Sequence, residues 1–460
     1  MLTEVLPWWQ VLMLVVGVMT LLFLLYLLSR WLLTRLVDAL AVAHPRRFSI
    51  VLSTALVVLY AAGYFNPPVK TLQWFSLPVS MTYGKQFSFL YEAITDDETL
   101  DKTAEPLPQS NLQRLAGADV LILFFESYGA TTLDRPNFAQ ALADRRTALA
   151  QAIKESGRQV VSARVRSPTF GGASWLAHSS FLSGIEVTEN HRYKLLLTKE
   201  RDTLVHRFAG QGYRTVGLMP GLRQAWPEGA FYGYERIYDA SSIDYRGPAF
   251  GWWRIPDQFA LARLDAMELA PQARRPLLAV MNSISSHAPF RPIPPYQADW
   301  KTLLGSRPFG AHAVDENTDR KRTWADMAED YVNAVEYVLT YVTGYLEHRA
   351  GDDLVLIVIG DHQPPARVSG PNASWDVPVH VIARNPSLIE ALRAEGFEPG
   401  LEPKHAAIGP MHDLAGRLLH AFAGEATTTR VETPPEYSLA RSSRSVLKSR
   451  IDVAGPGIRR

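Results

Sequence analysis

The chain contains no cysteine. Disulfides and thiolate metal sites are therefore excluded, and any metal must be held by oxygen and nitrogen donors. The chain also carries almost no net charge. Its 47 basic residues balance 46 acidic ones to a formal +1, so no global basic surface points to a nucleic-acid partner. A third lack is local: charge is missing from two long stretches. Val11–Leu28 ("VLMLVVGVMTLLFLLYLL") and Phe48–Phe65 ("FSIVLSTALVVLYAAGYF") are uncharged throughout. Each is long enough to cross a bilayer as a helix, and Trp8, Trp9 and Trp31 suit the interface beside the first.

A cleaved signal peptide needs basic residues ahead of its apolar core, and Met1–Gln10 has none. Two membrane spans are expected instead, with residues 1–65 as the anchor. Between the runs, Arg30, Arg35, Arg46 and Arg47 outnumber Asp38. By the positive-inside tendency that connection is cytoplasmic, so everything after Phe65 is expected on the outer side, where ATP is not normally available.

Residues 66–116 read as a connecting region, with Pro67-Pro68 and the acidic segment "TDDETLDKTAEP". From residue 117 to about 430, near-continuous apolar runs alternate with helical patterns. The runs are "ADVLILFFE", "RQVVSARV", "YRTVGLM", "PLLAVMNSI", "DLVLIVIG" and "VPVHVIA". Helical patterns lie at "RPNFAQALADRRTALAQAIKESG", where Gly157 is a plausible stop, and near 198–210, 323–349 and 410–423. This alternation predicts an α/β domain: a mostly parallel central sheet with helices on both faces. Residues 431–460, rich in serine and arginine, are expected to be a flexible basic tail.

In open α/β sheets, ligands gather at the carboxyl ends of strands. The residues just past each apolar run are Glu126, His287, and the pair Asp361-His362, while "RQVVSARV" leads into "SPTFGGASWLAHSSFLSG". A carboxylate, an imidazole, an Asp-His pair and a hydroxyl are thus delivered toward one sheet edge. Taken singly, a Glu closing a strand is an ordinary solvated residue, and Ser174 after Gly-Gly-Ala is an ordinary helix cap. Together they fit a site for a borderline divalent metal such as zinc or manganese.

The segment from Asp119 to Arg367 resembles the sulfatase-like branch of the alkaline phosphatase superfamily. Within it the nearer likeness is to membrane-anchored enzymes such as lipoteichoic acid synthase and the phosphoglycerol and phosphoethanolamine transferases. "VLILFFESYG" resembles the first strand with its metal-binding acid, here Glu126. "VIGDHQP" resembles the late metal-binding strand, here Asp361 and His362. "NSISSHAPF" resembles the segment whose histidine, here His287, meets the substrate phosphate. In sulfatases the nucleophile lies ten residues before the glycine of a Leu-Thr-Gly-like ending, and counting back from Gly184 reaches Ser174. The resemblance makes Ser174 both nucleophile and metal ligand, with Thr169 as the alternative. Formylglycine formation needs Pro and Arg two and four places on, where this chain has Leu176 and His178, so sulfate-ester hydrolysis is disfavoured.

Further substrate contacts are read at Asp257 in "GWWRIPDQFAL", at Arg223 and Trp226 in "GLRQAWPEGAFYGYERIYD", and at His178 one helical turn after Ser174. Asp257 serves equally well as a helix-start residue. The activity implied is metal-dependent transfer of a phospho-headgroup, donated by a membrane lipid, through a covalent serine to an envelope glycan or lipid hydroxyl. Water as acceptor gives a phosphodiester hydrolase instead. A non-catalytic envelope binding protein is the reading of another class, set against the joint presence of Glu126, Ser174, Asp361 and His362. The implied location is the inner membrane, multi-pass, with the catalytic domain on the periplasmic side.

Overall fold

The computed structural model describes residues 8–65, 83–84, 87 and 105–424, apart from 225, 252–253, 272, 307 and 311–326. Two apolar helices come first, α1 (Trp8–Ala41) and α2 (Ala43–Phe65). Thirty-four residues make α1 about 51 Å long at 1.5 Å per residue, more than the roughly 30 Å of bilayer hydrocarbon. Leu22, Phe23, Val51 and Val57 are each more than half exposed. No described residues bury these side chains, so the two helices are not a core hairpin of the described domain, and both are long and apolar enough to cross a membrane. The expected polar loop between the spans is absent. Arg30 and Arg35 lie on α1, Arg46 and Arg47 open α2, and only Val42 separates the helices. Leu, Arg and Ala are strong helix formers, so the helix runs on past the end of the uncharged stretch.

From residue 119 the order is β1 (Asp119–Phe125), α3 (Ala143–Glu155), β2 (Gln159–Arg166), α4 (Ser174–Ser183), β3 (Arg214–Leu218), β4 (Arg236–Tyr238), α5 (Asp257–Leu264), β5 (Leu277–Asn282), α6 (Met327–His348), β6 (Leu354–Gly360), β7 (Asp376–Ala383), α7 (Pro386–Ala394), β8 (Glu398–Pro399) and α8 (Met411–Phe422). Gly157 follows α3 with φ of 68°, the left-handed conformation that ends helices. The pattern near 198–210 yields a short helix, Leu204–Ala209, closed at its start by the Thr203 side chain.

The eight strands form one sheet in the order β4-β3-β5-β1-β6-β7-β2-β8. β5, β1 and β6 pair in parallel, as do β4, β3 and β5. β7 runs against both β6 and β2, so β2 points the same way as β1. The sheet is therefore mostly parallel, and β1, β2, β5 and β6 all finish at one edge. That edge is where the site lies. Two strands escaped the sequence reading, β4 and β8, which are three and two residues long. They cap the sheet's exposed edges and are too short to show any periodicity.

β1 shows why the apolar runs are continuous. Val120, Ile122 and Phe124 enter one core with α7, α8 and Phe181 of α4. Leu121, Leu123 and Phe125 enter the other, with α5, α6 and Leu149 and Ile153 of α3. A central strand covered on both faces needs apolar residues at every position.

One close approach fixes the site end of the sheet. A Cβ on Gly360 would sit 1.9 Å from the Tyr128 carbonyl oxygen, which is backbone and cannot swing aside. Gly360 is the last residue of β6 and immediately precedes Asp361. Gly360→Ala is expected to destabilise the metal-free protein by about 1–3 kcal/mol, the scale of core overpacking. Thermal unfolding measures this, and an unchanged midpoint would contradict the close approach.

Candidate metal centre and active site

Glu126 follows β1, and Asp361 and His362 follow the adjacent parallel β6. Side-by-side parallel strands ending in register set their next residues together. Ligand atoms of Glu126, Asp361 and His362 all lie within 4.8 Å of one another, and all three residues are buried. His362 Nε2 is 3.4 Å from Glu126 Oε1 and 3.7 Å from Asp361 Oδ2.

Ser174 joins them from across the sheet. Gly171, Gly172 and Ala173 have φ of 70°, 149° and 62°, so the chain after β2 bends sharply before α4 begins. Ser174 is not the cap of that helix: Ala173 occupies the cap position, and no side chain closes it. The Ser174 hydroxyl instead lies 2.9 Å from Glu126 Oε2 and 3.1 Å from His362 Nε2. The bend thus presents one hydroxyl to the acidic group at a helix N-terminus, where the amides also favour an anion. The Thr169 hydroxyl, the alternative, instead donates within its own loop to the Gly172 carbonyl.

The donor set suits a divalent cation. His362 Nδ1 donates to the Gln363 carbonyl at 2.8 Å, which leaves the Nε2 lone pair facing Glu126 and Ser174. Asp361 Oδ1 accepts from the Ser127 and His362 amides at 2.8 and 2.6 Å. Its other oxygen, Oδ2, is buried with no hydrogen-bond partner among the described residues. A buried carboxylate oxygen left this way is costly unless a cation completes it. Serines brace the backbone: Ser283 Oγ accepts from the Glu126 amide at 3.0 Å, Ser286 donates to the Glu126 carbonyl, and Ser167 donates to the Asp361 carbonyl. The sequence reading did not single out these three. Their signal, an unusual density of small hydroxyls around the strand ends, was present but carries no spacing rule.

Electrostatics confirm the strain of two carboxylates in one buried site. Burial and the neighbouring Glu126 push Asp361 up to about 8. Burial also raises Glu126, but the charges of His362 and His287 and the hydrogen bond from Ser174 help to outweigh it and hold its pKa below the usual value. Burial lowers His362, and the two carboxylates more than reverse this.

The remaining sequence candidates divide. His287 stands near enough for its charge to act on Glu126, with Nδ1 donating to the Ala288 carbonyl at 2.7 Å. His178 packs against Phe124, ring centroids 4.1 Å apart, and its Nε2 is 3.9 Å from Asp361 Oδ2. Burial drives its pKa down to about 3, so it is a neutral ring in this site. Asp257 is fully buried, and its carboxylate accepts from the Ile284 and Ser285 amides at 2.9–3.1 Å. It supports the loop that carries His287 rather than facing a substrate. Trp226 lines a cavity of about 230 Å³ beside the site, together with Trp175, His178, Leu222, Tyr234 and Asn282. Arg223 is exposed and outside that lining, although it shares the loop. A larger cavity of about 680 Å³, lined by Glu105, His412 and Arg417 among others, touches none of these groups. Its position excludes it from the chemistry.

Metal binding should depend on pH in a defined direction. Because Asp361 is raised, it keeps its proton in the metal-free protein below about pH 8, and a cation must displace it. Affinity for Zn²⁺ or Mn²⁺ should therefore rise with pH as Asp361, and His362 whose pKa the carboxylates also raise, lose their protons. Calorimetric titration at pH 7 in buffers of different ionisation enthalpy should show at least about one proton released per metal bound. Binding with no proton release would contradict the assignment.

The sequence profile of the family described as Sulfatase matches residues 164–405, more than half of the chain. That span holds Ser174, His178, His287, Asp361 and His362, and Glu126 lies ahead of it. No curated protein matches the chain. Among solved structures, the lipoteichoic acid synthase LtaP of Listeria monocytogenes is similar over 68% of this chain and 73% of its own, at 13% identity and TM-score 0.43. The phosphoglycerol transferase GacH of Streptococcus pyogenes, in complex with sn-glycerol-1-phosphate, is similar over 73% and 81%, at 12% identity and TM-score 0.41. The C-terminal periplasmic domain of EptC from Escherichia coli is similar over 61% and 76%, at 12% identity and TM-score 0.40. With its profile match and its acid, hydroxyl and Asp-His pair on one sheet edge, the chain belongs to the sulfatase family, and it is an enzyme.

Proposed function

We propose that this protein is a membrane-anchored, metal-dependent phosphotransferase. It moves a phospho-headgroup from a membrane lipid, through a covalent intermediate on Ser174, to a hydroxyl of an envelope glycan or lipid. The observation that carries the reading is the Ser174 hydroxyl, held 2.9 and 3.1 Å from Glu126 and His362 at the first turn of α4. A serine with a capping role would be bonded to its own helix amides; this one is bonded to the metal-ligand set.

Glu126, Asp361, His362 and the Ser174 oxygen are the residues that would hold Zn²⁺ or Mn²⁺. When bound, a divalent cation there supplies Lewis-acid stabilisation of the serine alkoxide and of charge on the transferring group. Ser174 Oγ then attacks phosphorus, the bond from phosphorus to the donor lipid oxygen breaks, and the lipid leaves as an alcohol. The serine proton lost matches the proton the leaving oxygen gains. His287 and the amides at the start of α4 balance the developing negative charge. In the second half the acceptor hydroxyl attacks the same phosphorus, the bond from phosphorus to Ser174 Oγ breaks, and the proton lost by the acceptor returns to Ser174.

The two apolar helices support a lipid donor, because they hold the domain beside headgroups. The arginines at the α1–α2 junction support a catalytic domain on the periplasmic side of the inner membrane. With an even charge balance, nucleic acid is not among the proposed partners.

Ser174→Ala is expected to lose activity by several orders of magnitude, the scale on which removal of other covalent nucleophiles acts. Stability should fall by no more than about 1.5–3 kcal/mol, the scale of one hydrogen bond to a charged group, since Ser174 donates to Glu126. Wild-type protein quenched during turnover of a lipid or chromogenic phosphodiester should carry the transferred group on the Ser174 peptide by mass spectrometry. An active Ser174→Ala enzyme with no adduct on the wild type would sink the covalent mechanism.

A further inference from the structure

From Val377 to Ala383 strand β7 is buried throughout, and every residue in that run is apolar except His380. Directly opposite it, on the antiparallel strand β2, stands Ser162, which is also buried. A polar pair in the middle of a sheet covered on both faces breaks the pattern that builds the rest of it. Neither residue belongs to the metal-ligand set.

The pair lies within a chain of hydrogen bonds whose direction is fixed. Ser162 Oγ is 2.5 Å from the Gly400 carbonyl, just past β8, and a carbonyl can only accept. The single Ser162 hydroxyl proton therefore points there. His380 Nδ1, 2.6 Å from the same Ser162 oxygen, must then carry a proton and donate it. That leaves the Nε2 lone pair to accept from the Tyr128 hydroxyl at 3.1 Å. Burial, helped by the Arg146 charge, pushes His380 down to about 3, so the ring is neutral, as this pattern requires. Burial pushes Tyr128 up to about 12, so its hydroxyl keeps the proton it donates.

Tyr128 belongs to the turn that carries Glu126. Ser127 in that turn has φ of 59°, a left-handed conformation that a residue with a Cβ holds only when its surroundings impose it. This conformation brings the Ser127 amide 2.8 Å from Asp361 Oδ1 and the Tyr128 carbonyl over Gly360. Tyr331 of α6 donates to the Ser127 carbonyl at 2.8 Å, and the Tyr128 ring stacks on Phe125 with centroids 4.3 Å apart. Stacking alone lets a ring slide in its own plane. The bond from its hydroxyl to His380 sets where the ring stops.

We propose that His380 is a positioning residue of the metal centre: with its proton on Nδ1, it fixes the tip of Tyr128 and thereby the turn that presents Glu126 and the Ser127 amide. The proposal rests on the metal assignment and adds to it a residue that touches neither metal nor substrate. The chain of bonds ties the turn after β1 to β7, β2 and the end of β8, so the ligand geometry is set from strands that supply no ligand.

The test uses the full chain, first metal-free and then titrated with Zn²⁺. In wild type labelled with ¹⁵N-histidine, the ring signal that His380→Gln removes should show a protonated Nδ1 and a bare Nε2 at pH 7. A proton on Nε2 would reverse the chain and overturn the proposal. By calorimetry, Tyr128→Phe should weaken Zn²⁺ binding about tenfold, the lower end of the range for groups that orient metal ligands. Leu392→Ala, a truncation in the core on the other face of the sheet, is the control for lost stability. It should lower the unfolding midpoint yet leave Zn²⁺ affinity within about twofold, as independent sites do. His380→Leu should weaken binding as Tyr128→Phe does. His380→Gln, whose amide both donates and accepts, should restore part of it. A Tyr128→Phe protein with a lower midpoint and unchanged Zn²⁺ affinity would assign the chain a structural role and overturn the proposal. An equal loss of affinity in Leu392→Ala would do the same. If wild type itself binds no Zn²⁺, the metal assignment falls, and the proposal falls with it whatever the ring protonation.

Discussion

Two carboxylates, Glu126 and Asp361, are buried together at the ends of adjacent parallel strands, and the rest of the structure is arranged around that cost. Like charges in a site screened from water cannot both stay ionised without a counter-charge. The protein answers the cost in part with fixed groups. Amides of Ser127 and His362 satisfy one oxygen of Asp361, and His362 and His287 hold Glu126 ionised. One oxygen of Asp361 is left over, and Asp361 retains a proton to about pH 8. A divalent cation held by these residues would resolve both.

The sheet makes this arrangement possible. β1 and β6 pair in register up to Phe125 and Gly360, so Glu126 and Asp361 are forced into adjacency by backbone hydrogen bonds. Gly360 permits the Tyr128 carbonyl to cross close over β6. Beyond the next strand, β5, the Asp257 side chain at the start of α5 gathers the amides of Ile284 and Ser285 and so sets the loop that leads to His287. Ser174 arrives by a different route, through three successive positive-φ residues that turn the chain from β2 into α4. Strand ends place the proposed metal ligands, and one sharply bent loop places the proposed nucleophile. The site is thus built on the regular elements of the fold, with the Ser174 hydroxyl at the junction.

Legibility in the sequence followed the same division. The long strands were readable because strands buried on both faces are apolar at every position, and Glu126, Asp361 and His362 were readable as the first polar residues beyond them. Ser174 came from its glycine-rich approach together with its place in the family pattern. β4 and β8 were not readable, since two or three residues hold no period. The connection between the two apolar helices reads as a loop by its arginines, yet the first helix continues to Ala41 because helix propensity persists where hydropathy drops. Asp257 illustrates a limit of residue type: a carboxylate at a helix start looks the same whether it meets substrate or amides from a distant loop. The aromatic cavity was only half visible. Trp226 and His178 stood out singly, but Tyr234, Asn282 and Trp175 join them only through the crossing of α4, β5 and the segment after β3.

The most direct measurement is the position of a bound ion by anomalous X-ray diffraction from crystals of the protein grown with Zn²⁺ or Mn²⁺. The account places the ion about 2.0–2.2 Å from oxygen or nitrogen atoms of Glu126, Asp361 and His362, with the Ser174 oxygen facing it. An anomalous peak elsewhere on the domain, or a site that stays empty at saturating metal with both carboxylates protonated, would contradict it.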